Sequence, residues 1–169
     1  EWSSEYQISG EAFKSKSPRR FVQVELIMAT EDPQATPRLE TLGIDFEEAF
    51  LQGARGSILP RQARPNEDTR FIYTLWPQAE GADSGFDLLR LALPGPAAEV
   101  ALRVDGQTVS PQMSMQGDSL MLALPEQIRT DSVEVEFTTR LFANATVFPL
   151  DLGSSKRPGL WQSVEAAQR

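Results

Sequence analysis

The sequence predicts an all-β protein, an antiparallel β-sandwich of jelly-roll or immunoglobulin-like type preceded by a partial sandwich or sheet segment. Two observations carry this prediction. Short segments in which apolar and polar residues alternate recur along the chain, as in half-buried strands. Turn residues, mainly Gly, Pro and Asp, separate these segments, and no helix-length periodic stretch lies between them. A two-sheet sandwich is therefore favoured over a parallel sheet, whose strands need long helical crossovers.

The strand signals are densest after Arg70. Asp105-Gly106 follows one of them and suits a two-residue type I′ hairpin, because both central residues of that turn need positive φ. Only 163–168 is predicted to be helical. The inward-facing rows of the predicted strands are Phe71, Tyr73 and Leu75; Leu89, Leu91 and Leu93; Val100, Leu102 and Val104; Leu120, Leu122 and Leu124; Val133, Val135 and Phe137; and Phe148, Leu150 and Leu152.

The first part of the chain carries two further strand signals, followed by a connector. Two rows of alternating apolar residues predict an antiparallel pair, and residues 48–70, rich in Gly, Pro and charge, predict a connector with a boundary near Gly53. The predicted units are a β segment over 1–53 and a sandwich domain over 54–169. Residues 1–50 offer about three strands at most, and an isolated sheet of that size would leave one apolar face exposed to water. This segment is therefore expected to pack on something else. The rows are Val22, Val24, Leu26 and Met28, and Leu42, Ile44 and Phe46.

Composition argues against an enzyme. The chain has no histidine and no cysteine, the side chains most used for proton transfer and thiol attack near neutral pH. We therefore predict no catalytic, cofactor-binding or metal-binding residues and no cofactor. Glu134 and Glu136 share one strand face and are assigned to the solvent side rather than to a catalytic pair. The acidic clusters 45–48 and 66–68 leave calcium open, since hard cations need only oxygen ligands.

Net charge and hydropathy disfavour some classes of binding partner. The net charge of −8 disfavours nucleic acid and anionic bilayers, and no apolar stretch is long enough to predict a transmembrane segment. One basic cluster stands out before the first predicted strand and is our candidate partner contact, with a solvated strand entry as the alternative. Its members are Lys14, Lys16, Arg19 and Arg20.

A family resemblance extends over most of the chain. Residues 15–24, with Asp32-Pro33, Thr36-Pro37 and 39–46, resemble the closing strands of galactose-binding-like (discoidin-type) jelly rolls in bacterial envelope proteins. A second sandwich that often follows such modules is similar to 56–60, 71–73, 85–87, 104–106 and 133–137. The resemblance implies a periplasmic or extracellular location. It also implies sugar binding, for which the available rings are Trp2, Tyr6, Trp76 and Trp161.

The same all-β segments are similar to the small extracytoplasmic sandwich subunit of bacterial photosynthetic reaction-centre and light-harvesting supercomplexes, which implies a scaffolding role. We therefore expect a non-catalytic subunit that binds and braces partner proteins in an extracytoplasmic or membrane-associated assembly. A carbohydrate-binding module of a bacterial surface protein is the alternative. The chain begins at Glu1 rather than Met, and we expect it to be processed or part of a longer protein.

Overall fold

A computed structural model describes residues 2–15, 21–32, 34–143 and 145–167, and it confirms the all-β sandwich. No described residue belongs to a helix that is long and apolar enough to span a membrane. The described residues contain eleven strands: β1 Gly53–Leu59, β2 Asp68–Gln78, β3 Phe86–Ala92, β4 Ala98–Val104, β5 Gln107–Val109, β6 Gln112–Gln116, β7 Ser119–Ile128, β8 Val133–Arg140, β9 Leu150–Ser154, β10 Arg157–Ser163 and β11 Glu165–Ala166.

These strands form two sheets. Sheet A has the order β11-β1-β2-β8-β4-β5, and sheet B has the order β10-β9-β3-β7-β6. Neighbouring strands are antiparallel except for β11, which pairs with β1 in parallel. The predicted connector is wrong over its middle, because Gly53–Leu59 pairs with β2 along its whole length. Gly56 serves packing, since a Cβ there would collide with the buried ring of Tyr73.

The inward rows predicted from the alternation meet between the two sheets. Leu75, Val133 and Leu102 of sheet A are fully buried, as are Leu91 and Leu152 of sheet B. This burial supplies the main stabilisation, at about 25 cal/mol for each Å² of apolar surface removed from water. Three aromatic side chains close one end of this core: Phe71, Phe137 and Phe148, whose ring centroids lie 5.2 to 5.9 Å apart.

The hairpin predicted at Asp105-Gly106 is confirmed. The two residues have φ of 46° and 76°, and the residues on either side of them, Val104 and Gln107, pair across the ladder. Both central residues thus occupy the left-handed region that a type I′ turn requires.

The structure differs from the prediction for the first part of the chain. The predicted rows in 21–28 and 42–46 form no strand, and most of their side chains are exposed. A strand needs a neighbour for its N–H and C=O groups, and none of the described strands pairs with these residues. β1 begins at Gly53, but the division into units over 1–53 and 54–169 stays a prediction.

The helix predicted over 163–168 is also wrong for its described residues. β10 continues to Ser163, and Glu165–Ala166 forms β11 beside β1. The Ala167 N–H group then donates to the Gly56 carbonyl at 2.8 Å. The unpaired edge of β1 offers backbone partners to a segment too short to gain much as an isolated helix.

The buried tyrosine of β2 makes a pH-dependent contribution to stability. Burial raises the pKa of Tyr73 to about 12 from its ordinary 10.0, and the negative charge of Asp151 adds to the shift. The neutral phenol is the favoured form, so the contribution of Tyr73 to stability is complete below pH 10 and is lost as the pH rises through 12.

We expect the urea-derived free energy of unfolding to fall over this range, and to fall less in Tyr73→Phe. Tyr6→Phe, which alters an exposed ring, is the control. An equal alkaline decline in Tyr73→Phe and wild type would contradict this assignment.

Candidate partner-binding surface

The most unusual surface of the molecule is the exposed apolar segment that precedes the sandwich. Val22, Val24, Leu26 and Met28, here called the first row, are each about half exposed. The second row, Leu42, Ile44 and Phe46, is also exposed, and Phe46 has 90% of its surface open to solvent. Isolated apolar residues at a surface are ordinary, but with Ile27 and Leu39 nine exposed apolar residues fall within 25 consecutive positions, which favours an interaction site.

The segment enters the sandwich at a well-defined point. Phe50 and Leu51 are buried, and the side chain of Gln162 in β10 binds their backbone. Its amide oxygen accepts the N–H groups of Phe50 and Leu51 at 3.0 and 3.2 Å, and its amide nitrogen donates to the Leu51 carbonyl at 2.9 Å. Arg157 of the same strand binds the Glu47 carboxylate at 2.8 Å. The second row therefore lies next to a fixed anchor on β10.

The candidate contact Lys14 is engaged within its own part of the chain. Its ammonium lies 2.7 Å from the Glu11 carboxylate and 4.7 Å from the centroid of the Tyr6 ring. The same carboxylate accepts backbone N–H groups from Gln7 and Ile8 at 2.6 and 2.8 Å. The hydrogen bond from Lys14, with these two N–H groups, lowers the pKa of Glu11 to about 2. Lys14 is thus committed to a local turn.

The other three candidate contacts, Lys16, Arg19 and Arg20, lie outside the described residues. Their role in partner docking stays a prediction. In the sequence they directly precede the first row, so a partner of that row would also meet their positive charge.

The rings proposed for sugar binding do not form one platform. Trp76 points outward from sheet A and is 45% exposed, whereas Trp161 belongs to β10 at the edge of sheet B. The Trp161 ring lies against Gly153, and the Arg90 guanidinium carbon is 4.2 Å from its centroid. Trp2 and Tyr6 are exposed in the segment before the sandwich. Among the four, Trp76 has the accessible ring on a rigid strand.

The face predicted for Glu134 and Glu136 is confirmed, but Glu136 is covered by its neighbours rather than solvated. The residue does lie on the outer face of sheet A, but only 8% of it is exposed. Arg70 of β2 forms an ion pair with its carboxylate, and Arg103 of β4 lies 3.5 Å from it. Glu134 is 3.8 Å from the same Arg103. Cross-strand neighbours thus cover the carboxylate, and the network bridges three strands of sheet A.

Three of the acidic residues considered for calcium pair with arginines. Asp68 accepts two hydrogen bonds from Arg140 at 3.0 and 2.9 Å, and these hold its pKa below the ordinary value. Glu67 lies 3.8 Å from Arg64, and Glu47 binds Arg157. The described residues contain no group of three or more His, Cys, Asp or Glu that could hold a metal ion.

One exposed apolar pair within the sandwich was not predicted from the sequence. Met113 and Met115 lie on β6, the last strand of sheet B, and are 54% and 48% exposed. The signal was present, because Gln112–Gln116 alternates polar and apolar residues before the Gly117-Asp118 turn. The short length of the segment concealed it.

Comparison with known proteins assigns neither a family nor a function to the chain. The chain matches no protein-family model, and no curated protein is significantly similar to it. Functional inference therefore depends on the surfaces described above.

Proposed function

We propose that the protein is a non-catalytic interaction subunit that binds and braces partner proteins through the exposed apolar segment before its sandwich. The observation that carries the proposal is the second row, in which Leu42, Ile44 and Phe46 are exposed only a few residues from the anchor at Phe50. Burying one such side chain in an interface is worth about 1.5–3 kcal/mol. Because the second row is already attached to the sandwich near Phe50, little of this energy is needed to hold that end of the segment in place.

The chemistry of the segment defines the partner. The row alternates with polar positions, as in a strand, but its backbone has no strand partner among the described residues. A protein with an exposed sheet edge beside an apolar groove would satisfy both the backbone and the row. On the stated resemblances, we place this partner in an extracytoplasmic or membrane-associated assembly, with a bacterial photosynthetic reaction-centre complex as the specific case.

The decisive experiment compares two matched double variants in the native host. The full chain carries a C-terminal tag, the membranes are extracted in mild detergent, and proteins that co-purify in stoichiometric amount are identified. Ile44→Asp with Phe46→Asp is expected to reduce recovery of the partner at least about tenfold, because two charges would enter the apolar contact. The sandwich should melt at the wild-type temperature, since both positions are exposed.

Thr41→Asp with Gly43→Asp is the matched control for this experiment. It adds the same charge in the same segment at positions that alternate with the row. Recovery should stay near wild type. A wild-type chain that purifies alone, or an equal loss in both double variants, would contradict the proposal.

One observation favours carbohydrate binding as a second candidate. Trp76 presents an exposed ring beside Arg55, its cross-strand neighbour on the outer face of sheet A. Such a ring can stack on a sugar while neighbouring polar groups bind the hydroxyls. Glycan-array binding that is lost in Trp76→Ala but kept in Ile44→Asp with Phe46→Asp would assign the protein to this class instead.

A further inference from the structure

We propose that β6 accepts residues 21–28 of a second copy of this chain as an added antiparallel strand, so that the protein dimerises by exchanging this segment. The proposal concerns the first row and leaves the second row available to a different protein. It brings together two features of the described residues: the outer edge of β6, which has no neighbouring strand among them, and residues 21–28, which alternate like a strand but join no sheet.

The edge is unusually open to pairing. β6 bonds to β7 on one side and ends the described order of sheet B. All five of its residues are exposed, and none of them is charged or proline. Natural edge strands are commonly protected by a lysine, a proline or a bulge, since a bare edge recruits other strands. β6 has none of these protections, and its ladder with β7 is in continuous register.

The inner face of the sandwich is uncovered at this edge. Met113 pairs with Leu122 and Met115 with Leu120, and both leucines are buried in the core. The two methionines therefore belong to the inward-facing row, yet about half of each is open to solvent. One more strand beside β6 would place its inward-facing side chains next to both methionines.

Residues 21–28 have the pattern that this position requires. An antiparallel register that sets Val24 opposite Met115 also sets Leu26 opposite Met113, so the inward row continues with apolar side chains. The same register sets Gln23 opposite Gln116 and Glu25 opposite Ser114 on the outer face, so polar positions meet polar positions. Residues 39–46 fit less well, because Gly43 would weaken an added strand in its middle.

A second copy is the occupant because the segment of a single chain does not lie on its own β6. Residues 21–28 form no strand in the structure, and among the described residues β6 pairs with β7 alone. The connection over 29–49 can span up to roughly 70 Å when extended, which lets two copies exchange segments reciprocally. Once one pairing forms, the second is intramolecular, so a closed dimer is expected rather than a filament.

The test separates the two halves of the contact in the full-length chain. Val24→Asp with Leu26→Asp disables the donor segment, and Met113→Glu with Met115→Glu disables the acceptor edge without creating opposite charges across the contact. Sedimentation equilibrium should show a wild-type dimer and at least about tenfold weaker self-association for each variant alone. An equimolar mixture should recover a one-to-one heterodimer by native mass spectrometry, because the donor and the acceptor that remain intact lie on different chains.

Two controls test whether the variants stay folded and whether the effect is specific to the inward face. All four substituted side chains are exposed, so each variant should keep the wild-type melting temperature. Ile27→Asp changes the same segment at a position that would face Gln112 on the outer side, and it should weaken the dimer much less.

Three results would overturn the proposal: a wild-type chain that stays monomeric at high concentration, an acceptor variant that dimerises normally, or a mixture that forms no heterodimer. None of them would affect the partner test at Ile44 and Phe46, so the two proposals fail separately.

Discussion

Replacing Phe137 by alanine is expected to lower the free energy of unfolding by about 3–5 kcal/mol, the largest effect we predict for a single side chain. Phe137 is fully buried in β8, and its ring centroid lies 5.9 Å from that of Phe71 and 5.8 Å from that of Phe148. The variant loses the transfer free energy of the ring and leaves a cavity that two large neighbours cannot fill without leaving their rotamers. Urea denaturation followed by circular dichroism measures the change.

Phe142→Ala is the matched control for this prediction. The residue lies two positions beyond the end of β8 and is 67% exposed, so the same change of side chain should cost about 0.5 kcal/mol or less. Similar losses in both variants would mean that the three-phenylalanine cluster does not dominate the stability of that end of the core.

Replacing Gln162 by leucine is expected to cost about 3 kcal/mol, although leucine has a similar volume. Gln162 is 3% exposed and makes three hydrogen bonds to the backbone of Phe50 and Leu51. Its loss leaves two N–H groups and one carbonyl without these partners. Each unpaired buried group costs about 1–3 kcal/mol, and water that reaches the group reduces this cost. Denaturation gives the total, and amide hydrogen exchange locates it.

The exchange measurement decides the mechanism. The amides of Phe50 and Leu51 should exchange markedly faster in Gln162→Leu, whereas the amides of the β2–β8 ladder, such as Phe71 and Val135, should follow only the global change. Gln116→Leu, an exposed residue of β6, should leave stability and these amides near wild type. Wild-type protection of Phe50 and Leu51 in Gln162→Leu would show that the side chain does not hold this segment.

Local sequence anticipated the central strands well. Alternation with a period of two places Phe71, Tyr73 and Leu75 on one face of β2, whichever strands become its neighbours. The same holds for Val133, Val135 and Phe137 in β8. The Asp105-Gly106 hairpin followed from the φ requirements of two adjacent residues. These features depend on near neighbours in the chain, so the sequence contains the information directly.

The errors share a different cause. β1 has two glycines and one arginine among its seven residues and a weak strand signal, yet its whole length pairs with β2. β11 has helix-favouring residues but lies beside the edge of β1. The first row has a strong strand signal and forms no strand in the isolated chain. In each case the availability of a neighbouring edge outweighed the local preference, as expected when propensities are weak beside pairing and burial.

The candidate surface was predictable only as a set of apolar residues. Sequence identified the members of the first and second rows, but it could not distinguish a buried face from an exposed one. It could not show that Lys14 is taken up by Glu11, or that Glu136 is covered by arginines from neighbouring strands. Exposure and ion pairing depend on which strands become neighbours, and that information is spread over the whole chain.

The sequence by itself determined the all-β class, the inward rows of the central strands and the hairpin at 105–106, because alternation and turn geometry are local properties. Only the tertiary structure decided the order of strands in each sheet, the anchoring of Phe50 and Leu51 by a glutamine more than a hundred residues away, and the bare edge at β6. Each of these is a contact between distant segments. Such contacts form where backbone hydrogen bonds and buried area together offset the entropy of bringing those segments into register.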